Sequence, residues 1–315
     1  MKNYFRNIII FFIYFSSFNV YCTDWQPIYW AGQQKTKSEI SKEAFLIKLK
    51  IDGITTDYYV NFDTGAADSF LFKNVIEKAP ELAEYFHNEE KIKISKNYHD
   101  IEDFGYSVKG NIIGKRLSGN AFLLNNLIPA VKSSVIGIVG LGAFSQPYLA
   151  IDFINNRIIN TNNIKEIEID INKPFIFEKY QDIDGLPAVL LNDKSEKLGK
   201  FVFDTGSSNQ EIVLFNLETW IKLTGVKIND KSNEYKSIIS LGHKFFCAIH
   251  ISQKELNIGT INLGKPNLQF CLRDGIAMQE KGLDGIIGSR LFYEKAIVLI
   301  DIKNKEIGFS FNFDK

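Results

Sequence analysis

Three observations predict an all-β protein with a few short helices, folded as two lobes that share a pseudo-two-fold internal repeat. The first is composition: 45% of the 315 residues are apolar, and 26 Phe and 13 Tyr outweigh 7 Pro and 2 Met, the profile of a strand-rich globular chain. The second is length, which exceeds what one hydrophobic core usually serves and suggests two domains of about 150 residues each. The third is the stretch Phe201-Val202-Phe203-Asp204-Thr205-Gly206-Ser207-Ser208-Asn209, an apolar strand that runs into a carboxylate. A second copy, Val60-Asn61-Phe62-Asp63-Thr64-Gly65, lies 141 residues earlier. Desolvating an unpaired carboxylate is costly, so finding one at the end of a buried strand twice over points to a shared task.

Taken in order, residues 1–22 read as a signal peptide. Lys2 and Arg6 supply the positive start, and Ile8 to Phe15 is an apolar run too short to span a bilayer as an ordinary helix. Cleavage after Cys22 gives simple export; a lipid-modified Cys22 is the rival reading, disfavoured by the bulky Tyr21 before it, and an uncleaved anchor is the third. Cys247 and Cys271 are then the remaining cysteines, either one disulfide of an exported protein or two buried thiols. The chain has no Asn-x-Ser/Thr sequon, which directs the expectation to a bacterial periplasm or its medium. Net charge is zero and no basic stripe is present, so neither nucleic acid nor an anionic membrane surface is expected as a partner. A monomer with no stable membrane insertion after signal removal is expected.

Residues 23–44 form a short polar lead-in anchored by Trp25 and Trp30. Phe45, Ile47, Leu49 and Ile51 then alternate with Lys48 and Lys50, Asp52-Gly53 marks a turn, and Tyr58 to Phe62 returns into Asp63. Asn74 to Phe86 reads as a helix interrupted or restarted at Pro80. Residues 91–124 read as strands with turns at Gly105, Gly110, Gly114 and Gly119. The glycine-flanked run Ile136 to Phe144 is no nucleotide loop, because neither a βαβ context nor a phosphate-handling Lys accompanies it.

The second half replays this order. Ala188 to Leu191 and Leu198 to Phe203 read as strands, and Leu217, Trp220 and Ile221 mark a helix that stops at Gly225. Gly285-Ile286-Ile287-Gly288 matches Gly137-Ile138-Val139-Gly140, and Asp301 and Asp152 follow these segments at 13 and 12 residues. Three ordered landmarks per half make a repeat. The expected division is an N-terminal lobe over 45–170 and a C-terminal lobe over 171–315, joined through the polar residues 162–186.

Equivalent loops of two similar lobes would bring Asp63 and Asp204 together across the pseudo-two-fold axis. At hydrogen-bonding distance both cannot ionise, so the pair holds one proton over a useful pH range. One carboxylate can act as general base on water while the other, protonated, polarises a carbonyl. Gly65 and Gly206 permit close backbone approach, and the Thr64 and Thr205 hydroxyls can reach the opposite loop. These paired Asp-Thr-Gly motifs, each with its later apolar-apolar-Gly segment, resemble the active-site loops of the two-lobed pepsin-like aspartic proteases, with the single-lobe retropepsins as further relatives. The resemblance spans residues 45 to 315. It implies two six- to seven-stranded β-lobes, a substrate cleft between them, no cofactor, and peptide-bond hydrolysis with Asp63 and Asp204 as catalytic residues.

The chain departs from that pattern in places. Ala66 stands where the family usually has Ser and Phe70 where it has Trp, while Ser207 keeps the hydroxyl in the second motif. An asymmetric dyad is expected, with Asp63 holding its proton to higher pH for want of that donor. Family members close the cleft with a Tyr-bearing hairpin. Tyr106, 43 residues after Asp63, is the flap candidate by position. His87, His99, His243 and His250 have no metal-ligand spacing, and Asp182-x-Asp184-Gly185 is only a fragment of a calcium loop. The expected function is an exported aspartic endopeptidase acting on peptides or proteins. The alternatives are a non-hydrolytic peptide-binding module on the same fold and an envelope-associated structural lipoprotein.

Overall fold

The computed structural model describes residues 24–32, 42–93, 101–117, 121–125, 134–168, 174–240, 243–271 and 276–311. The signal peptide, Cys22 and the 170/171 boundary lie outside them. The first half contains β1 (Gln26–Pro27), β2 (Tyr29–Ala31), β3 (Ala44–Ile51), β4 (Tyr58–Asp63), β5 (Ser69–Phe72), α1 (Lys73–Ile76), α2 (Pro80–Asn88), β6 (Lys91–Lys93), β7 (Ile101–Ser107), β8 (Gly110–Ile112), β9 (Lys115–Leu117), β10 (Ala121–Asn125), β11 (Val135–Gly140), β12 (Tyr148–Asp152), β13 (Arg157–Thr161) and α3 (Ile164–Glu168). The second contains β14 (Ile176–Lys179), β15 (Gln181–Ile183), β16 (Leu186–Asn192), β17 (Lys197–Asp204), β18 (Ile212–Leu214), α4 (Leu217–Thr224), β19 (Glu234–Ser240), β20 (His243–Ile251), β21 (Leu256–Ile258), β22 (Ile261–Gly264), β23 (Asn267–Cys271), α5 (Ile276–Glu280), β24 (Gly285–Gly288), β25 (Ala296–Asp301) and β26 (Glu306–Phe311).

Each half curls one sheet, and the two sheets have the same order. In the first it is β6-β7-β10-β5-β11-β4-β3-β8-β9 with β2 against β3; in the second it is β19-β20-β23-β18-β24-β17-β16-β21-β22 with β15 against β16. Every strand of one lobe therefore has a counterpart in the other. Both sheets have ten strands among the described residues, more than the six or seven expected, because short edge pieces extend the central strands. A third sheet, β1-β13-β12-β25-β26-β14, joins the lobes, with its symmetry axis between β12 and β25. There Tyr148 pairs with Asp301 and Asp152 with Ile297, so the lobes share one antiparallel ladder.

The lead-in differs from its reading as a polar approach. β1 and β2 pair with β13 and β3 as β14 and β15 pair with β26 and β16. The repeat thus begins before residue 44. A two- or three-residue strand carries too little periodicity to be read from sequence. Elsewhere local chemistry explains the elements. Pro80 opens α2, where its missing N–H costs nothing, and Asn216 caps α4 by accepting from the N–H groups of Glu218 and Thr219. Gly225 closes α4 at φ 72°, a left-handed conformation. Asp152 and Asp301, both buried, cap the matching turns after β12 and β25. Asp152 accepts from Ile154 and Asn155 N–H and from Arg157, and Asp301 from Asn304.

The core runs continuously beneath both aspartates. Phe62, which precedes Asp63, meets Phe45 at 5.3 Å between ring centroids; Phe45 meets Phe153 at 6.0 Å, Phe153 meets Phe292 at 6.3 Å, and Phe292 meets Phe203, which precedes Asp204, at 5.6 Å. All five rings are almost fully buried. Burial of each contributes about 2–3 kcal/mol, and the chain of rings fixes one motif strand relative to the other.

Candidate active site

β4 and β17 end on Asp63 and Asp204, and each is flanked by a parallel strand that places a glycine in register with the carboxylate. Gly140 pairs with Asp63 and Gly288 with Asp204. A Cβ on Gly140 would lie 2.3 Å from the Ala66 carbonyl oxygen, and one on Gly288 2.3 Å from that of Gln210. Only glycine lets the motif loop fold back over its supporting strand, which is the reason for the apolar-apolar-Gly segments.

The two loops are locked together by four buried hydrogen bonds. Thr64 N–H donates to Thr205 Oγ1 (3.0 Å) and Thr205 N–H to Thr64 Oγ1 (3.0 Å). Thr64 Oγ1 in turn donates to the Phe203 carbonyl (2.6 Å) and Thr205 Oγ1 to that of Phe62 (2.8 Å). Both threonines are fully buried, so each hydroxyl must find a partner, and each finds it in the other lobe. The glycines explain the proximity that follows. A Cβ on Gly65 would sit 2.6 Å from the Asp204 carboxyl carbon, and one on Gly206 2.5 Å from that of Asp63. Each carboxylate thus occupies the space a side chain at the opposite glycine would need, and the two aspartates face one another across the axis.

Their surroundings differ. Asp204 is buried and accepts from Ser207 twice, from N–H at 3.2 Å and from Oγ at 2.8 Å. Asp63 accepts from Gly65 N–H at 2.8 Å and has Ala66 where a hydroxyl would stand. Burial first, and then the negative charge and hydrogen bond of Asp204, hold the Asp63 carboxyl well above the usual carboxylate range; the Gly65 and Ala66 amides oppose this without overcoming it. Burial and the facing Asp204 carboxylate thus favour the protonated form of Asp63.

With this geometry the chain invites comparison with solved proteins. It is similar to the aspartic proteinase from Irpex lacteus. The identity is 12%, the match covers 86% of this chain and 95% of that one, and the TM-score is 0.48. No protein-family model and no curated protein matches the sequence.

The structure brings Asp63, Thr64, Gly65, Asp204, Thr205, Gly206 and Ser207 into one site. Tyr106 lies elsewhere, and its flap assignment is corrected. It sits in β7, paired with Lys91 of β6, and is buried against Phe86 (4.9 Å) and Phe104 (5.9 Å). Counting 43 residues from Asp63 ignores strand register: Tyr106 pairs with Lys91, the first residue of β6, and so stands inside the β6–β7 ladder. Cys247 and Cys271 are joined in a disulfide between β20 and β23, remote from the dyad. The Asp182-Gly185 stretch is a hairpin turn, with Asp182 accepting from Gly185 N–H.

Sequence reasoning missed a strut across the lobes. Ser208 Oγ donates to the Glu43 carbonyl (2.6 Å), and Tyr293 Oη donates to the Ser208 carbonyl (2.6 Å). Tyr293 also packs on Trp30 at 4.8 Å, so the lead-in anchors the second motif loop. Ser208 was visible as part of the motif, but nothing in sequence ties Tyr293 to it. Its hydroxyl is shifted well above the usual tyrosine range by burial.

Proposed function

We propose that the chain is an aspartic endopeptidase that hydrolyses peptide bonds of peptide or protein substrates with a water molecule activated between Asp63 and Asp204. The observation that carries this reading is the mutual fit of the two motif loops, in which each glycine makes room for the opposite carboxylate. Ionised Asp204, supported by Ser207, takes a proton from water as its oxygen attacks the carbonyl carbon; Asp63 gives its proton to the carbonyl oxygen. In the collapse of the resulting diol, Asp204 returns its proton to the leaving nitrogen, Asp63 recovers one from a hydroxyl, and the C–N bond breaks. A binding module would gain nothing from two carboxylates forced together, one of them held protonated at a cost.

The test is cleavage of an unfolded protein between about pH 3 and 7 by wild type, Asp63→Asn and Asp204→Asn. Wild type alone is expected to cleave; equal inertness of all three sinks the reading. Export is part of the same proposal, supported by the Cys247–Cys271 disulfide, since such bonds persist in oxidising compartments. No helix among the described residues is long and apolar enough to cross a membrane. Intact-mass measurement of the mature N-terminus distinguishes cleavage after Cys22 from a lipid attached to it.

A further inference from the structure

The strand face that carries Asp63 also holds a side-chain oxygen with no hydrogen-bond partner among the described residues. Registers across the N-terminal sheet align Leu123, Phe70, Ile138, Asn61 and Leu46 side by side on β10, β5, β11, β4 and β3. Asn61 precedes Asp63 by two residues, so both side chains leave the same face of β4, about 7 Å apart along the strand. This is the face on which the Asp63 carboxylate meets Gly206 of the other lobe. The Asn61 side-chain oxygen is buried and, among the described residues, has no hydrogen-bond partner. Its row neighbours Ile138 and Leu46 are buried hydrocarbon and cannot supply one.

The repeat provides an internal control. The matching row of the C-terminal lobe runs Gln269, Val213, Ile286, Val202 and Ala188, with Val202 in the place of Asn61. Val202 is fully buried in an apolar cluster with Ala188 and Val213. The fold therefore accepts an aliphatic side chain at this position, and building the strand does not require an amide. A buried amide oxygen left unpaired is destabilising, so its presence beside the reacting group calls for a ligand that completes it.

We propose that Asn61 is a specificity-determining residue: its amide pairs with a primary-amide side chain, Asn or Gln, of an extended peptide bound beside Asp63, with Phe70 and Ile138 flanking the contact. This rests on the endopeptidase reading. A primary amide is the best match because it can donate to the Asn61 oxygen and accept from the Asn61 nitrogen at once; a hydroxyl completes only one of these bonds. A site built this way rejects an aliphatic substrate side chain because its own polar group would stay unpaired.

The experiment compares wild type, Asn61→Val and Asn61→Ser on a library of peptides, reading cleavage sites by mass spectrometry and kcat/KM on matched Gln and Leu peptides. Wild type is expected to enrich Asn and Gln at one position. Asn61→Val should lose that enrichment in favour of aliphatic residues, changing the Gln/Leu ratio of kcat/KM by about tenfold or more. Asn61→Ser should fall between them, and preferences at the other positions should not move. If wild type cleaves but all three variants share one profile, Asn61 has no such role while the endopeptidase reading stands. If wild type cleaves nothing, that reading falls, and binding of the same Gln and Leu peptides decides: amide preference lost in Asn61→Val supports the inference, and its retention or absence in wild type overturns it.

Discussion

Ala66 is the smallest departure in the chain with a chemical consequence at the dyad. Its counterpart Ser207 donates to the Asp204 carboxylate, whereas the Ala66 side chain has no hydroxyl to offer Asp63. Ala66→Ser should supply that donor, stabilise the ionised form of Asp63 and move the alkaline limb of the kcat/KM profile to lower pH. A profile that does not move would remove Ala66 from the account. The raised Asp63 carboxyl also bears on stability. Between the ordinary carboxylate value of 3.8 and its own raised value, the native state binds more protons than the unfolded chain, so stability falls as pH rises through that window. The loss is at most about 1.4 kcal/mol per pH unit for one group. Asp63→Asn should therefore melt above wild type at pH 7, with the gap closing near pH 3; an equal gap at both would contradict this. Asp63, Asp204 and their threonines were legible because motif chemistry is local. Asn61 was not, since one polar residue in an apolar strand gains meaning only when its neighbours across three strands are known.

Among elements, the motif strands and capped helices could be read because periodicity and caps lie within a few residues of each other. β3 shows how far this reaches: Phe45, Ile47, Leu49 and Ile51 are buried as alternation predicts, but Leu46 is buried too, because the other face is also covered. Tyr106 and the lead-in strands escaped because hairpin register and short pairings depend on partners distant in sequence. The sequence leaves Cys247 and Cys271 open between a disulfide and two thiols, and cross-strand pairing of β20 with β23 decides it. The bond closes a loop with a sequence separation of 24 and ties β20 of the β19–β20 hairpin to β23. Cys247→Ser with Cys271→Ser should lower stability by about 3 kcal/mol in chemical denaturation. Added reductant should reproduce the loss in wild type and leave the double variant unchanged; insensitivity of both would show the bond to be energetically idle.

At the scale of the molecule, duplication was legible from three landmarks per half, yet the sheet that joins the halves was not. β12 and β25 look like any two buried strands, and only the structure pairs them across the axis. This arrangement predicts that residues 24–168 and 174–311, produced as two polypeptides, assemble when coexpressed, because the ladder, the phenylalanine chain and the threonine bonds all cross between them. Co-purification with recovered cleavage is expected, and persistent separation of soluble halves would refute it. The shared ladder has a further implication for heredity. An enzyme assembled from two identical chains carries every substitution twice, so its two carboxylates can never be edited apart. A single chain that holds both halves lets each differ from the other, and Ala66 against Ser207 and Asn61 against Val202 are differences that two identical chains could not hold.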